Sequence, residues 1–248
     1  MRILLNGACG HMGAEVARLA AAGYRGAELV AGADPNFMGD CGFPCVKDIR
    51  DAETNVDCII DFSHHSGTRA LLDFATAHQL PLVLATTGQT DAERAAILEA
   101  SKSIPLFFAA NYSFGIALLI EMAQKTAAAM PDAEIEIVEV HHDRKLDAPS
   151  GTALAIAEAI QSVRPNAEIH CGRSGFGRRT REEIGIHSIR MGNVFGQHEV
   201  IIGTPSQTIT LKHEAHSRAL FAEGALAAAE YLSGKPAGLY DMKRMIAR

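Results

Sequence analysis

No apolar run in this 248-residue chain approaches the ~20 residues that a membrane-crossing helix needs, so a transmembrane role is not expected. The apolar run of residues 1–5 is broken by Asn6 and Gly7 and is too short for the core of a secretory leader. Export is therefore not expected, and a cytoplasmic location is. Basic charge is also short: 23 Lys and Arg against 29 Asp and Glu give a net charge of -6, the wrong sign for a nucleic-acid binder. An anionic small molecule is not excluded, because local cations override a net charge. The five cysteines (Cys9, Cys41, Cys45, Cys58 and Cys171) are odd in number and fit no disulfide framework. Cys41 and Cys45 have three residues between them, not the two of a redox or zinc pair, and reduced thiols are expected. Internal repeats and low-complexity tracts are missing. What is present is an ordinary 48% of hydrophobic residues, enough for one or two folded domains.

The first half alternates short apolar runs with helical patterns. Strands are expected at 3–6, 28–33, 57–62, 81–85 and 104–109, with helices at 12–22, 68–78 and 91–101. Such alternation implies a parallel sheet covered on both faces. The pattern changes after about Tyr112. A long amphipathic helix is expected at 116–130, then a half-exposed strand at 134–141, where Glu134 and Glu136 alternate with Ile135 and Ile137. A helix at 153–162, a mobile Gly- and Arg-rich loop at 173–183 and strands at 187–191, 199–204 and 207–213 follow. The alanine-rich helix at 221–231 is expected to return to the first domain. The fold class read from this is α/β: an N-terminal Rossmann-like parallel-sheet domain over 1–112, completed by 217–248, plus a C-terminal α+β domain with an open mixed sheet over 113–216.

The first strand runs into Gly7-Ala8-Cys9-Gly10-His11-Met12-Gly13 and then a helix. Glycines at a strand-to-helix turn let the backbone bend tightly and approach a pyrophosphate, whose charge the helix-start amides would face. The spacing G-x-x-G-x-x-G is a variant of the dinucleotide fingerprint and is weak alone; strand before and helix after give it context. Asp34 ends the second strand, where an acid accepts hydrogen bonds from the adenosine ribose hydroxyls. Asp34-Pro35-Asn36 also has turn chemistry, and both roles are compatible. A carboxylate there repels a 2′-phosphate. The cofactor reading is therefore NADH and/or NADPH with a lean to NADH, since Pro35 and Asn36 supply no cation and His11 is a weak one.

The run Glu139-Val140-His141-His142-Asp143-Arg144-Lys145-Leu146-Asp147-Ala148-Pro149-Ser150-Gly151-Thr152-Ala153 leaves a strand and enters a helix. Free amides at that helix start, with two hydroxyls and Gly151, make a carboxylate or phosphate site; N-capping by Ser150 or Thr152 is the simpler reading. Two histidines and Lys145 beside the turn add proton donors and positive charge. No further ligand cluster and no H-E-x-x-H pattern accompany the histidines, so a metal site is not expected. A proton donor plus a cation beside an anion-binding turn suits reduction of an unsaturated carboxylic acid.

This run resembles the signature of the 4-hydroxy-tetrahydrodipicolinate reductase family, and the resemblance covers nearly the whole chain. Residues 7–13 are similar to that family's cofactor loop, Ala85-Thr86-Thr87-Gly88 to its Gly-Thr-Thr-Gly turn, and Ala109-Ala110-Asn111-Tyr112 to its Ala-Ala-Asn-Phe segment. Residues 183–186, 190–198 and His216-Ser217-Arg218 also fit. The resemblance implies NAD(P)H-dependent reduction of 4-hydroxy-tetrahydrodipicolinate to tetrahydrodipicolinate, in lysine and diaminopimelate biosynthesis. Hydride would reach C4 after the 4-hydroxyl leaves as water, and a proton would reach the neighbouring carbon. It implies His141 as catalytic proton donor and acceptor and Lys145 as proton donor. His142, Gly151 and Thr152 would hold the substrate carboxylates, with Ser150 close by. Gly7, Ala8, Cys9, Gly10, His11, Met12, Asp34, Ala85, Thr86, Thr87, Ala109, Ala110, Asn111 and Tyr112 would contact the cofactor. The second domain would bind a dicarboxylate and join a homotetramer.

Departures exist. His11 and Pro35 stand where relatives carry basic residues, which counts against tight NADP(H) binding. Asn193 and Gln197 replace an aspartate and a glutamate, and His64-His65 falls outside the pattern, on a surface loop at the cofactor-facing edge. Arg173, Arg178, Arg179 and Arg181 form either a solvated loop or a lid drawing in the dicarboxylate, with Gly172, Gly175 and Gly177 as hinges. Another two-domain NAD(P)-dependent dehydrogenase of amino-acid metabolism is the alternative. An acylating semialdehyde dehydrogenase would need a catalytic cysteine in the second domain, where only Cys171 lies. A non-catalytic dinucleotide sensor would have a degraded His-Lys segment, and here it is intact.

Overall fold

The computed structural model describes residues 1–247. In chain order its principal elements are β1 (Arg2–Asn6), α1 (His11–Ala21), β2 (Glu28–Ala33), β3 (Cys45–Val46), β4 (Cys58–Asp61), α2 (Thr68–Ala77), β5 (Leu82–Leu84), α3 (Asp91–Ala100), β6 (Pro105–Phe108), α4 (Phe114–Ala129), β7 (Glu134–His141), α5 (Gly151–Gln161), β8 (Glu168–Cys171), β9 (Glu183–Arg190), β10 (Gly196–Thr204), β11 (Gln207–Ala215), α6 (Ala219–Leu232), β12 (Gly238–Tyr240) and α7 (Met242–Ile246). They form two compact units: residues 1–114 with 218–248, and residues 115–217.

The first unit is built on a seven-stranded sheet in the order β12-β6-β5-β4-β1-β2-β3, every pairing parallel. Its central strands are continuous apolar runs because both faces are covered: Ile3, Leu4, Leu5, Ile59, Ile60, Leu82, Val83 and Leu84 are fully buried. Helix α1 buries Gly13, Val16, Leu19 and Ala20, one stripe at helical spacing. Helix α3 starts at a reciprocal capping box between Thr90 and Glu93. Helix α6 is buried nearly all round and lies against α1 and strands β4, β5 and β6. Gly224 permits that approach, since a Cβ there would collide with the Tyr112 carbonyl. Chain direction reverses about β1, so β1 and β4 flank a topological switch point, and the segments leaving the parallel strands gather at one carboxyl edge.

The second unit is a five-stranded mixed sheet, β11-β10-β7-β9-β8: β7 is parallel to β9 and antiparallel to β10, and β10 and β11 form a hairpin. Helices α4 and α5 share one core with Ile135, Ile137, Ile184, Ile186, Val200 and Ile202 from one sheet face. Strand periodicity of two then places Glu139 and His141 on the face that carries Ile135 and Ile137, so a core stripe ends in an acid and a base. The expected pairing of a parallel-sheet α/β domain with a mixed-sheet α+β domain is thus the architecture observed.

Four elements differ from expectation by being present. Strands β3, β8 and β12 and helix α7 are two to five residues long, too short to carry a periodic signal. Strand β9 begins at Glu183 and not at 187. Gly185 reads as a break, yet in the sheet its missing Cβ makes room for the Glu136 carboxylate. The arginines of 173–183 are also not a free cluster. Arg173 pairs with Glu183 and Arg181 with Asp132, while Arg179 is largely buried between Glu134, Glu136 and the Glu183 carbonyl oxygen.

Candidate active site

At the carboxyl edge of the first unit the glycine loop is held by Gly7, whose amide donates to the Ala33 carbonyl oxygen at 2.8 Å. Gly7 has φ +81° and a Cβ there would overlap the Phe62 carbonyl. Gly13 packs against the Gly7 and Ala8 carbonyl oxygens with no room for a methyl. At the N-cap of α1, Gly10 makes no side-chain cap, and the first turn holds no acid. Those unclaimed amides beside an open glycine cradle fit a pyrophosphate.

Asp34 is buried at the end of β2, accepting from the Cys9 amide at 2.9 Å and from the Asn36 amide at 2.8 Å. The acid and the turn chemistry therefore coexist, and Asp34 also ties the glycine loop down. No Lys or Arg pairs with it among the described residues. Thr86 is buried and donates through its hydroxyl to Asp61 at 2.6 Å, while Thr87 is exposed. Ala109, Ala110 and Asn111 follow β6 at the same edge. Tyr112 ends this segment. Its side chain is buried and its hydroxyl donates to the Leu84 carbonyl oxygen at 2.9 Å, so it is a core strut with only its backbone at the edge. His64 and His65 stack at 4.4 Å just after β4, and the His65 ring lies 3.2 Å from the Glu93 carboxylate.

In the second unit one buried polar cluster holds the end of β7. Glu139 is fully buried; Arg190 donates to both its oxygens at 2.8 and 2.7 Å, and the Ser150 amide donates at 3.1 Å. His141 Nδ1 lies 2.6 Å from Glu139 Oε2. The carboxylate can only accept, so Nδ1 carries the proton and Nε2 is the exchanging nitrogen. Burial pushes the Glu139 carboxyl up, but Arg190, His141 and the Ser150 amide outweigh it and bring it to about 2. Burial lowers His141, against the pull of Glu139. An imidazolium disfavoured in this way releases its Nε2 proton readily.

His198 is buried edge-on to His141 with ring centroids 5.2 Å apart, and its Nε2 lies 3.1 Å from Ser150 Oγ. Burial takes His198 down to about 3, so it stays neutral. Ser150 caps α5 by accepting from the Ala153 amide at 3.2 Å; Gly151 is exposed and Thr152 half-buried in the first turn. Capping is thus observed, at a helix start whose exposed Gly151 leaves the turn open to an anion. His142 Nδ1 is buried without a partner among the described residues, and Lys145 Nζ pairs with Asp147 at 2.8 Å. The cluster gathers His141 and Ser150 with Glu139, Arg190 and His198, and Lys145 is near enough to lower His141 further.

Residues 1–112 match the family model described as dihydrodipicolinate reductase, N-terminus, and residues 115–246 match its C-terminus. The chain belongs to the dihydrodipicolinate reductase family. It is 41% identical to the 4-hydroxy-tetrahydrodipicolinate reductase of Caldanaerobacter subterraneus subsp. tengcongensis, covering 99% of this chain and 98% of that one. Identity to the Clostridium tetani protein of the same name is 40%, over 99% and 97%. Among solved structures, a dipicolinate-bound dihydrodipicolinate reductase from a Paenisporosarcina species superposes with TM-score 0.81 at 26% identity, over 97% of each chain.

Three residues of this dihydrodipicolinate reductase site were missed from sequence: Glu139, Arg190 and His198. Glu139 had a usable signal, since E-V-H puts acid and histidine on one strand face. Arg190 and His198 bound a segment that fits the family, but their place beside Glu139 depends on β9 and β10 pairing with β7.

Proposed function

We propose that this chain reduces 4-hydroxy-tetrahydrodipicolinate to tetrahydrodipicolinate with a nicotinamide cofactor, in lysine and diaminopimelate biosynthesis. The observation that carries the reading is the Arg190–Glu139–His141 chain beside the capped start of α5, a proton donor set next to an anion site. A bound nicotinamide would supply hydride to C4 of the substrate ring, whose 4-hydroxyl leaves as water. His141 Nε2 delivers the proton to the neighbouring carbon, and Glu139 holds the ring with Nδ1 protonated. Lys145 is a second proton donor. The amides and hydroxyl of Gly151 and Thr152, with His142, hold the carboxylates, and Ser150 fixes the turn. The planar dicarboxylate on the Paenisporosarcina relative supports a dianionic substrate.

On the cofactor side Gly7, Ala8, Cys9, Gly10, His11 and Met12 cradle the pyrophosphate and Asp34 takes the ribose. Ala85, Thr86 and Thr87, with the backbone of 109–112, complete the site. NADH is preferred. A 2′-phosphate would lie beside the Asp34 carboxylate with no paired cation among the described residues, and unit charges at ~4 Å repel by ~1–4 kcal/mol in a wet site, about fivefold in affinity or more. Substrate made in place from pyruvate and aspartate semialdehyde by the upstream synthase, with NADH or NADPH, tests both points. Loss of NADH absorbance is expected, with kcat/KM at least about fivefold higher for NADH. No turnover by folded protein sinks the activity; equal use of both cofactors sinks the preference.

A homotetramer joined through the second unit's sheet completes the reading. The sheet face opposite α4 and α5 carries Val138, Ile201 and Ile189, apolar groups left partly exposed. Light scattering should give a mass near four 26.5 kDa chains, and a monomer would contradict it. Five free thiols support a cytoplasmic location, which cell fractionation reads directly. Among the described residues no helix is long and apolar enough to cross a membrane.

A further inference from the structure

Asp61 ends β4 at the switch point and is only 1% exposed, yet among the described residues no positive side chain pairs with it. Its Oδ1 accepts from Asn6 Nδ2 at 2.7 Å, from the Ser63 hydroxyl at 2.6 Å and from the Ser63 amide at 3.3 Å. Its Oδ2 accepts from the Thr86 hydroxyl at 2.6 Å, and its backbone carbonyl accepts from the Ala85 amide at 2.9 Å. Each donor comes from the end of a different strand or the loop after it: Asn6 from β1, Ser63 after β4, Ala85 and Thr86 after β5. Thr86 is also pinned from its other side, where its carbonyl oxygen accepts from Gln89 Nε2 at 2.7 Å.

The same contacts reach the glycine loop. Asn6 precedes Gly7, and Gly7 packs so tightly on Phe62 and Ser63 that a Cβ would overlap their backbone. The loop, residues 62–63 and the 85–88 turn are thereby one continuous strut with the Asp61 carboxylate at its centre. A buried acid is costly, and burial pushes its carboxyl up against the donors that hold it down. Apolar packing would close this sheet edge at lower cost, so the acid answers a need other than stability.

We propose that Asp61 is a positioning residue for the dinucleotide, fixing Asn6, Ser63 and Thr86 so that the glycine loop and the 85–88 turn hold their binding shape before the cofactor arrives. The inference rests on the cofactor reading above. A site already ordered loses less freedom on binding, so the benefit appears as affinity for the dinucleotide. Asparagine at 61 keeps the shape but turns an N–H donor toward Thr86, which must then rotate its hydroxyl away.

The test is a double-mutant cycle read by NADH fluorescence titration of the substrate-free protein, with Asp61→Asn, Thr86→Val and the pair. Each single change should weaken NADH binding about tenfold, the effect of a hydrogen bond to a charged group. The double should bind no more weakly than the weaker single, because both remove one contact. Amide exchange at 85–88 should also quicken in Asp61→Asn. NADH affinity equal to wild type in Asp61→Asn, or fully additive losses, would overturn the proposal. If Asp61→Asn does not fold, Thr86→Val decides alone, and unchanged affinity and exchange in it overturn the proposal. Failure of the wild-type chain to bind NADH would instead remove the cofactor reading itself.

Discussion

Glutamine in place of His141 is expected to lower kcat by ~10²–10⁴-fold while NADH affinity stays as in the wild type. That range is what a positioned acid or base contributes. Glutamine preserves much of the shape, and its amide N–H can still meet the Glu139 carboxylate, which lies 2.6 Å from His141 Nδ1. It cannot release a proton from the Nε2 position. A companion change approaches the same nitrogen from outside: a Cβ on Gly196 would lie 3.1 Å from His141 Nε2, closer than ordinary contact. Gly196→Ala should therefore cut turnover with little change in NADH binding. Steady-state kinetics beside a fluorescence titration separates the two quantities. Full turnover in His141→Gln would remove the proton-transfer role, and Lys145→Ala would then show whether the lysine alone delivers the proton.

Removing the Glu139 carboxyl should have the largest effect on stability. Glu139→Ala leaves the Arg190 fork, the His141 Nδ1 proton and the Ser150 amide without their acceptor. Breaking a buried pair costs ~3–5 kcal/mol. A loss of about 3 kcal/mol is expected, the lower end, because Arg190 keeps some surface in water. The pH dependence has a definite sign. The Glu139 carboxyl is held at about 2 against an ordinary 4.5, so its stabilisation is complete above pH 4.5 and fades as pH falls toward 2. Acidification also weakens both proteins through neutral His198, which burial takes down to about 3. Denaturant midpoints at neutral pH and near pH 3 should show the difference between wild type and variant shrinking; a constant gap would contradict the ionised-carboxylate account.

The sequence disclosed most where a signal was long or chemically constrained. Strands β1, β2, β4, β5 and β6 were legible because strands covered on both faces need unbroken apolar runs. The glycine loop was legible because Gly7 and Gly13 sit where any Cβ would strike backbone. Strand β8 was not, since Glu-Ile-His-Cys at a mostly exposed edge has no face to bury. Asp61 lay unremarked within the strand expected at 57–62, since its contacts depend on Asn6 and Thr86 arriving from other strands. The inward turn of the Tyr112 side chain, to the Leu84 and Phe107 carbonyl oxygens, was not legible for a related reason: a cofactor-like segment says nothing about where its side chain goes.

The first unit is interrupted in sequence, leaving off at 114 and resuming at 218. During synthesis its strands β1 to β6 emerge more than a hundred residues ahead of α6, the helix whose Ala222, Ala225, Leu226 and Leu232 they bury against. The nascent chain must carry that apolar surface uncovered while the ribosome makes the whole intervening unit, at ~5–20 residues per second. The inserted unit, contiguous from 115 to 217, has no such wait. The half that carries the glycine loop is thus the last to close, and the interval before α6 is made is when the young chain is most exposed to aggregation and most in need of a chaperone.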